Sequence, residues 1–190
     1  MKQVYRIKTD PDTYQMVMTA NVKEYNRLSM ECLPKAEGWE PPDVYIPHPF
    51  KKAADFMSTN GRGTMIITQR AATALEDFFS VSCELLPLPC ESETFMVVNV
   101  LNCVNWLSKD KTKWLYNSGV KVSPPKDYVF HSDRFSGPIG LLKIPETHKR
   151  EILVWIDTEG AAADNFIGRV EYHGLTGLAF EKLWQETGKP

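Results

Sequence analysis

Apolar positions follow two rhythms along this chain, and the sharpest change between them falls in the stretch from Thr64 to Leu88. Thr64, Met65, Ile66 and Ile67 make a short apolar, branched run that suits a buried pleated strand. Thr68 then stands where a hydroxyl accepts the first free N–H groups of a helix. Beyond it Ala71, Ala74, Leu75, Phe78 and Phe79 fall at i, i+3, i+4, i+7 and i+8, which predicts a helix of about three turns with one apolar face. Ser80 and Ser82 break that period, and Cys83 to Leu88 reads as extended again. Strand, helix, strand is the organising unit, and nothing in it supplies chemistry.

The same plan returns near the end. Ile152 to Ile156 predicts a strand, Asp157 or Thr158 a cap, and Ala162, Ala163, Phe166, Ile167 and Val170 one face of a helix. Gly174 to Gly177 reads as a turn, and Leu178 to Trp184 as a further strand. Two pseudo-repeated strand–helix–strand units predict an α+β fold with a mixed, largely antiparallel sheet. Between the units, Thr94 to Leu107 is the longest apolar stretch, and both of its alternating sets are largely apolar. It predicts a strand covered on both faces and central in a sheet. Asn99, Asn102 and Asn105 punctuate it every third residue, a spacing that matches neither face. Each is expected to bond backbone at a bulge, bend or edge. Ile139 to Ile144 predicts another strand, ended by Pro145.

Ahead of these units, Val4 to Ile7 and Tyr14 to Met18 read as short strands, with turn chemistry at Asp10-Pro11-Asp12 between them. Val44-Tyr45-Ile46 is a further strand, halted by Pro47 and Pro49. Residues 1–50 are thus expected to be a strand-and-loop layer packed on a core spanning 50–190, one domain overall, with no linker between them. Lys52 to Met57 suggests one helical turn. In Asn60-Gly61-Arg62-Gly63 the glycines precede a strand, whereas a phosphate-binding loop follows one, so a tight turn is the reading.

A formal net charge of −2 argues against a nucleic-acid footprint. No stretch approaches the roughly 18 apolar residues of a membrane span, and MKQVYRIKTDPD lacks the apolar segment of a secretory leader. The expected location is cytoplasmic. Cys32, Cys83, Cys90 and Cys103 show no close pairing of the zinc-ligand kind, so free thiols behaving as small apolar residues are expected, with no metal and no cofactor. The adjacent His131-Ser132-Asp133 does not make a catalytic triad, because neighbours on an extended chain point to opposite sides. Lysines and arginines between Ser108 and Arg150 read as scattered solvated charges. From Glu151 onward seven acids face three bases, which serves either solubility or attraction of a basic partner.

Several segments carry a resemblance. They are Asp55-Phe56 ahead of the glycine turn, Ile66-Ile67-Thr68 through Leu75 to Phe78-Phe79, Glu84 to Leu88, Val97 to Leu101, and Gly174 to Phe180. In this order they resemble immunity protein family 11 of bacterial polymorphic toxin systems, with Thr68 standing where the family has serine. The likeness runs from about Phe50 to Phe180. It implies a protein, not an enzyme, that binds and neutralises a cognate toxin domain encoded by a neighbouring gene, with no catalytic residue to carry over. Such an interface centres on aromatic anchors. The candidate partner-binding residues are Asp157, Glu159, Asp164, Tyr172 and Trp184, within a wider aromatic set of Trp39, Tyr45, Trp114 and Tyr116. The alternative is a small-molecule-binding or hydrolytic α+β domain using Cys90, His131 or His173, for which a base and a lowered thiol pKa would be needed.

Overall fold

Residues 1–91, 93–135 and 140–187 are described by the computed structural model. In chain order the first elements are β1 (Lys2–Thr9), β2 (Met16–Thr19), β3 (Val44–Tyr45), β4 (Phe56–Thr59), β5 (Ile66–Ile67), α1 (Gln69–Ala74) and α2 (Glu76–Ser80). There follow β6 (Cys83–Cys90), β7 (Glu93–Val100), β8 (Lys113–Asn117), β9 (Val120–Asp127), β10 (Leu141–Leu142), β11 (Ile152–Asp157), α3 (Phe166–Tyr172) and β12 (Leu178–Gln185). The fold is α+β. Strands in the order β10-β11-β1-β12 form one antiparallel sheet, and β3-β2-β4-β5-β7-β6 form a second. In the second sheet only β2 and β4 pair in parallel. β8 and β9 pair with each other and join neither sheet.

Alternation along the strands explains the layering. On β7, Val98 and Val100 face a core shared with Leu75, Phe78 and Phe79 of the helical segment, with Phe166 and Val170 of α3, and with Ile152 and Val154 of β11. Phe95 and Val97 face the other way, against Leu28, Met30, Leu86 and Leu88. β7 lies between β5 and β6, so the strand with two apolar faces is an interior one. β11 alternates similarly, sending Leu153 and Trp155 into a third cluster with Tyr128, Phe130 and Phe135.

The two strand–helix–strand units share a topological feature. β5 and β6 flank β7, β11 and β12 flank β1, and each middle strand is antiparallel to both neighbours. β1 is therefore an interior strand of its sheet, although it comes from the first fifty residues.

Local details depart from expectation for identifiable reasons. Thr68 Oγ1 does accept from the N–H of Ala71 at 3.2 Å, but the predicted helix divides at Leu75, whose φ is −121°. The chain restarts with Glu76 and Asp77 in the first turn of α2, where acids suit the helix N-terminus. Lys52 to Met57 makes no helical turn. Phe56 and Met57 are successive and both buried, which a strand between two apolar layers achieves and an amphipathic helix does not. The long strand stops at Val100: Leu101 N–H donates to Ser82 O, and Asn102 to Val104 then run beside Lys143. In the later unit neither Asp157 nor Thr158 caps the helix. Ala162 and Ala163 are exposed in a 3-10 turn, and Asn165 caps α3 by accepting from the N–H of Gly168 at 2.9 Å. Ile139, at the head of one predicted strand, lies outside the described residues; that strand is seen as β10.

Candidate functional site

Three of the five segments that carried the sequence resemblance meet around one buried carboxylate. Asp55 Oδ1 accepts from Thr68 Oγ1 at 3.2 Å, while Oδ2 accepts from Arg70 at 2.8 Å and from the N–H of Thr176 at 3.0 Å. Phe56 N–H donates to Thr176 O at 3.0 Å, and Arg70 also reaches His173 O at 2.6 Å. Gly177, with φ of +96°, permits this approach, since a Cβ there would lie 2.1 Å from Phe56 O. Asp55 is thus spent on joining the head of α1 to the loop before β12.

The five sequence-predicted contact residues do not form one cluster of side-chain contacts. Asp157 and Glu159 converge on the amino group of Met1, at 2.9 and 3.0 Å. The bond to that amine, first among the causes, lowers the Asp157 pKa. Asp164 lies in the exposed 3-10 turn before α3. Tyr172, at the end of α3, is 80% exposed and packs edge-on against His173. Trp184 is half-buried, stacked on Phe135 at 5.7 Å and edge-on to Phe130 at 5.8 Å, so its ring serves the third core cluster.

The wider aromatic set divides by residue type. Trp39 donates its Nε1–H to Pro87 O at 2.8 Å, and Trp114 packs against the third cluster, so the three tryptophans face inward. Tyr45, Tyr116 and Tyr172 are exposed. Tyr116 belongs to the β8–β9 hairpin, closed by the two-residue turn Ser118-Gly119 with φ of +50° and +79°. Both values are positive, as the tight hairpin turn matched to strand twist requires. The register pairs Leu115 with Val122, Tyr116 with Lys121, and Asn117 with Val120. Alternation therefore puts Leu115, Val120 and Val122 on one face, with Trp114, Tyr116 and Lys121 on the other. Lys121 Nζ sits 3.3 Å from the Trp114 ring centroid. Leu115, Tyr116 and Val120 are 51%, 66% and 68% exposed, an apolar outer end that no other strand of the described chain covers. Lys121 is exposed beside Tyr116, while Lys111, Lys113 and Lys126, also exposed, lie toward the open end of the hairpin, where Lys113 pairs with Asp127 at 3.3 Å.

One cluster has no counterpart in the sequence reading. Lys143 is 0% exposed, and its Nζ donates to Met30 O at 2.7 Å. Its backbone pairs in parallel with that of Cys103. Cys32, two residues beyond Met30 and with φ of +61°, and Cys83, at the head of β6, are its other thiol neighbours. Burial pushes the Lys143 amine down from 10.5 to about 8. Burial also pushes the Cys83 thiol up to about 12 and that of Cys32 up to about 11; Lys143 opposes both shifts, and the adjacent Cys103 thiol adds to the second. Three of four cysteines thus converge on one lysine. No spacing rule would have found them, because residues 32, 83, 103 and 143 come from four separate segments.

A contrasting cation, Arg6, meets Glu151 at 2.6 Å, Tyr128 Oη at 2.9 Å and Glu181 at 2.9 Å. The residues of the hydrolytic alternative lie apart, with no hydrogen bond among them: Cys90 ends β6, His131 precedes a 3-10 turn, and His173 follows α3. The Cys90 thiol is raised by burial and then by Glu91 and Glu93, opposite to what a nucleophile needs. Among the described residues, no helix is long and apolar enough to cross a membrane. No family model matches the chain, and no curated protein matches it.

Proposed function

We propose that the chain is a cytoplasmic immunity-type protein that holds a cognate toxin domain by direct contact, with the β8–β9 hairpin as a principal contact element. The observation that carries this reading is the outer end of the hairpin, where Leu115 and Val120 are exposed on one face and Tyr116 on the other, with exposed lysines along the hairpin. Exposed apolar and aromatic residues with charged neighbours suit a protein interface: the apolar contacts supply affinity and the charges speed encounter. The lysines fit a partner whose contact patch has an apolar centre and an acidic border. The order of the five segments along the chain, resembling the immunity family, supports the toxin as that partner.

The test is co-expression of the tagged protein with the toxin domain encoded beside it, scored for a purified complex and for restored growth. A stoichiometric complex with rescue is expected. Rescue with no complex would replace the binding reading with enzymatic reversal of the damage, and a toxin neither bound nor neutralised would remove the immunity assignment.

A further inference from the structure

Three thiols gathered on a buried lysine carry an inference beyond partner binding. Cys103 is exposed, whereas Cys32 and Cys83 are half-buried. The backbone bonds Lys143 N–H to Asn102 O and Val104 N–H to Lys143 O, both at 2.9 Å, hold Cys103 alongside Lys143. From the other side, the bond of Lys143 Nζ to Met30 O fixes the segment that carries Cys32, so Cys32 and Cys103 are both held at Lys143. A Cβ at Gly63 would lie 2.8 Å from Lys143 Nζ and from Met30 O, so glycine at that position leaves the ammonium its place. The cation opposes the rise that burial gives the Cys32 and Cys83 thiols.

We propose that Cys103 and Cys32 are a peroxide-oxidisable pair that closes to a disulfide, with the exposed Cys103 reacting first and Cys32 resolving it. The Cys103 thiolate attacks one oxygen of hydrogen peroxide. An S–O bond forms as the O–O bond breaks, and the released hydroxide takes up the proton the thiol had lost and leaves as water. The Cys32 thiol, which burial keeps protonated, then gives up its proton as its sulfur attacks the sulfenic sulfur of Cys103. The S–S bond forms, the S–O bond breaks, and the departing hydroxide carries off the Cys32 proton as a second water. Two thiols give up two electrons and two protons, peroxide accepts both, and no further reductant or oxidant is needed. The product ties the loop after Met30 to the segment leaving β7.

The experiment treats the reduced, folded full-length protein with hydrogen peroxide, followed by intact mass and peptide mapping. The expected result is loss of two hydrogens, a Cys32–Cys103 linked peptide, and reversal by a thiol reductant. Cys32→Ser and Cys103→Ser should each abolish the link, and Cys83→Ser should leave it in place. Circular dichroism confirms that each variant is folded, and alkylation of the untreated wild type provides a readout independent of any variant: Cys103 should label before Cys32. Oxygen addition at Cys103 with no link, a link from Cys103 to Cys83, or faster labelling of Cys32 would overturn the assignment.

Discussion

The β6–β7 and β8–β9 hairpins start from similar material, antiparallel strands with alternating apolar residues and prolines, yet the chain uses them differently. β7 is enclosed by β5 and β6, and its apolar residues on both faces meet core clusters. Pro87 and Pro89 lie on β6, the last strand of that sheet, where missing donors blunt an open edge. Among the described residues β8–β9 has no third strand, and its Leu115, Tyr116 and Val120 are left to solvent. The same alternation therefore serves folding in one hairpin and is free for recognition in the other. Residues whose burial contributes nothing to the folded chain are where a partner's contact would show.

The same substitution in each hairpin exposes this contrast most strongly. Leu86→Ala, at a side chain 1% exposed, should cost about 2–5 kcal/mol in urea unfolding, from lost burial and the cavity left behind. Leu115→Ala should change stability by less than about 0.5 kcal/mol. A comparable loss at both positions would mean that Leu115 packs against the body and is not a free contact.

Next in size is a pH effect where the inner hairpin leads into Lys143. Lowering that amine from 10.5 to about 8 corresponds to on the order of 3 kcal/mol. Between about pH 8 and 10.5 the unfolded chain keeps a lysine proton that the folded chain has released, so this group adds stability as pH rises. The raised Cys32 and Cys83 thiols act oppositely above about pH 9, where the unfolded chain ionises first. Comparing wild type with Lys143→Met isolates the amine: on going from pH 7 to pH 10 the difference in unfolding free energy should move in favour of the wild type. A difference independent of pH would show that Lys143 titrates normally.

Much of this was legible in the sequence, for local reasons. Branched runs such as Ile152 to Val154 form strands, and Thr68 caps a helix because its hydroxyl is placed to do so. Misreadings arose where two patterns coincide. Ala162 and Ala163 extend the apolar period of α3, but alanine on an exposed turn costs little, and Asn165 supplies the cap. The turn Ser118-Gly119 was a short-range signal for the outer hairpin, and Leu115 and Val120 on either side could have identified its apolar end. The lysine–cysteine cluster had no such signal, since only tertiary packing joins its four segments.

Smaller effects concern association. Replacing Leu115, Tyr116 and Val120 together by serine should weaken binding of the proposed toxin partner by about 10–100-fold, mostly through faster dissociation. Lys111→Glu with Lys126→Glu should slow association several-fold at low salt and little at high salt. Charge reversal at Asp157, Glu159 and Asp164 should leave the on-rate within about threefold, since they lie off the hairpin. A steep loss there, with the lysine variants unaffected, would move the contact surface to the acidic end.

The most direct measurement compares the wild type with the triple serine variant, each co-expressed with the proposed toxin partner, after matched unfolding curves establish that both are folded. The account predicts a complex and growth rescue for the wild type, and for the variant, at unchanged stability, a complex weakened by about 10–100-fold with reduced rescue. A variant that binds and rescues as well as the wild type would contradict it.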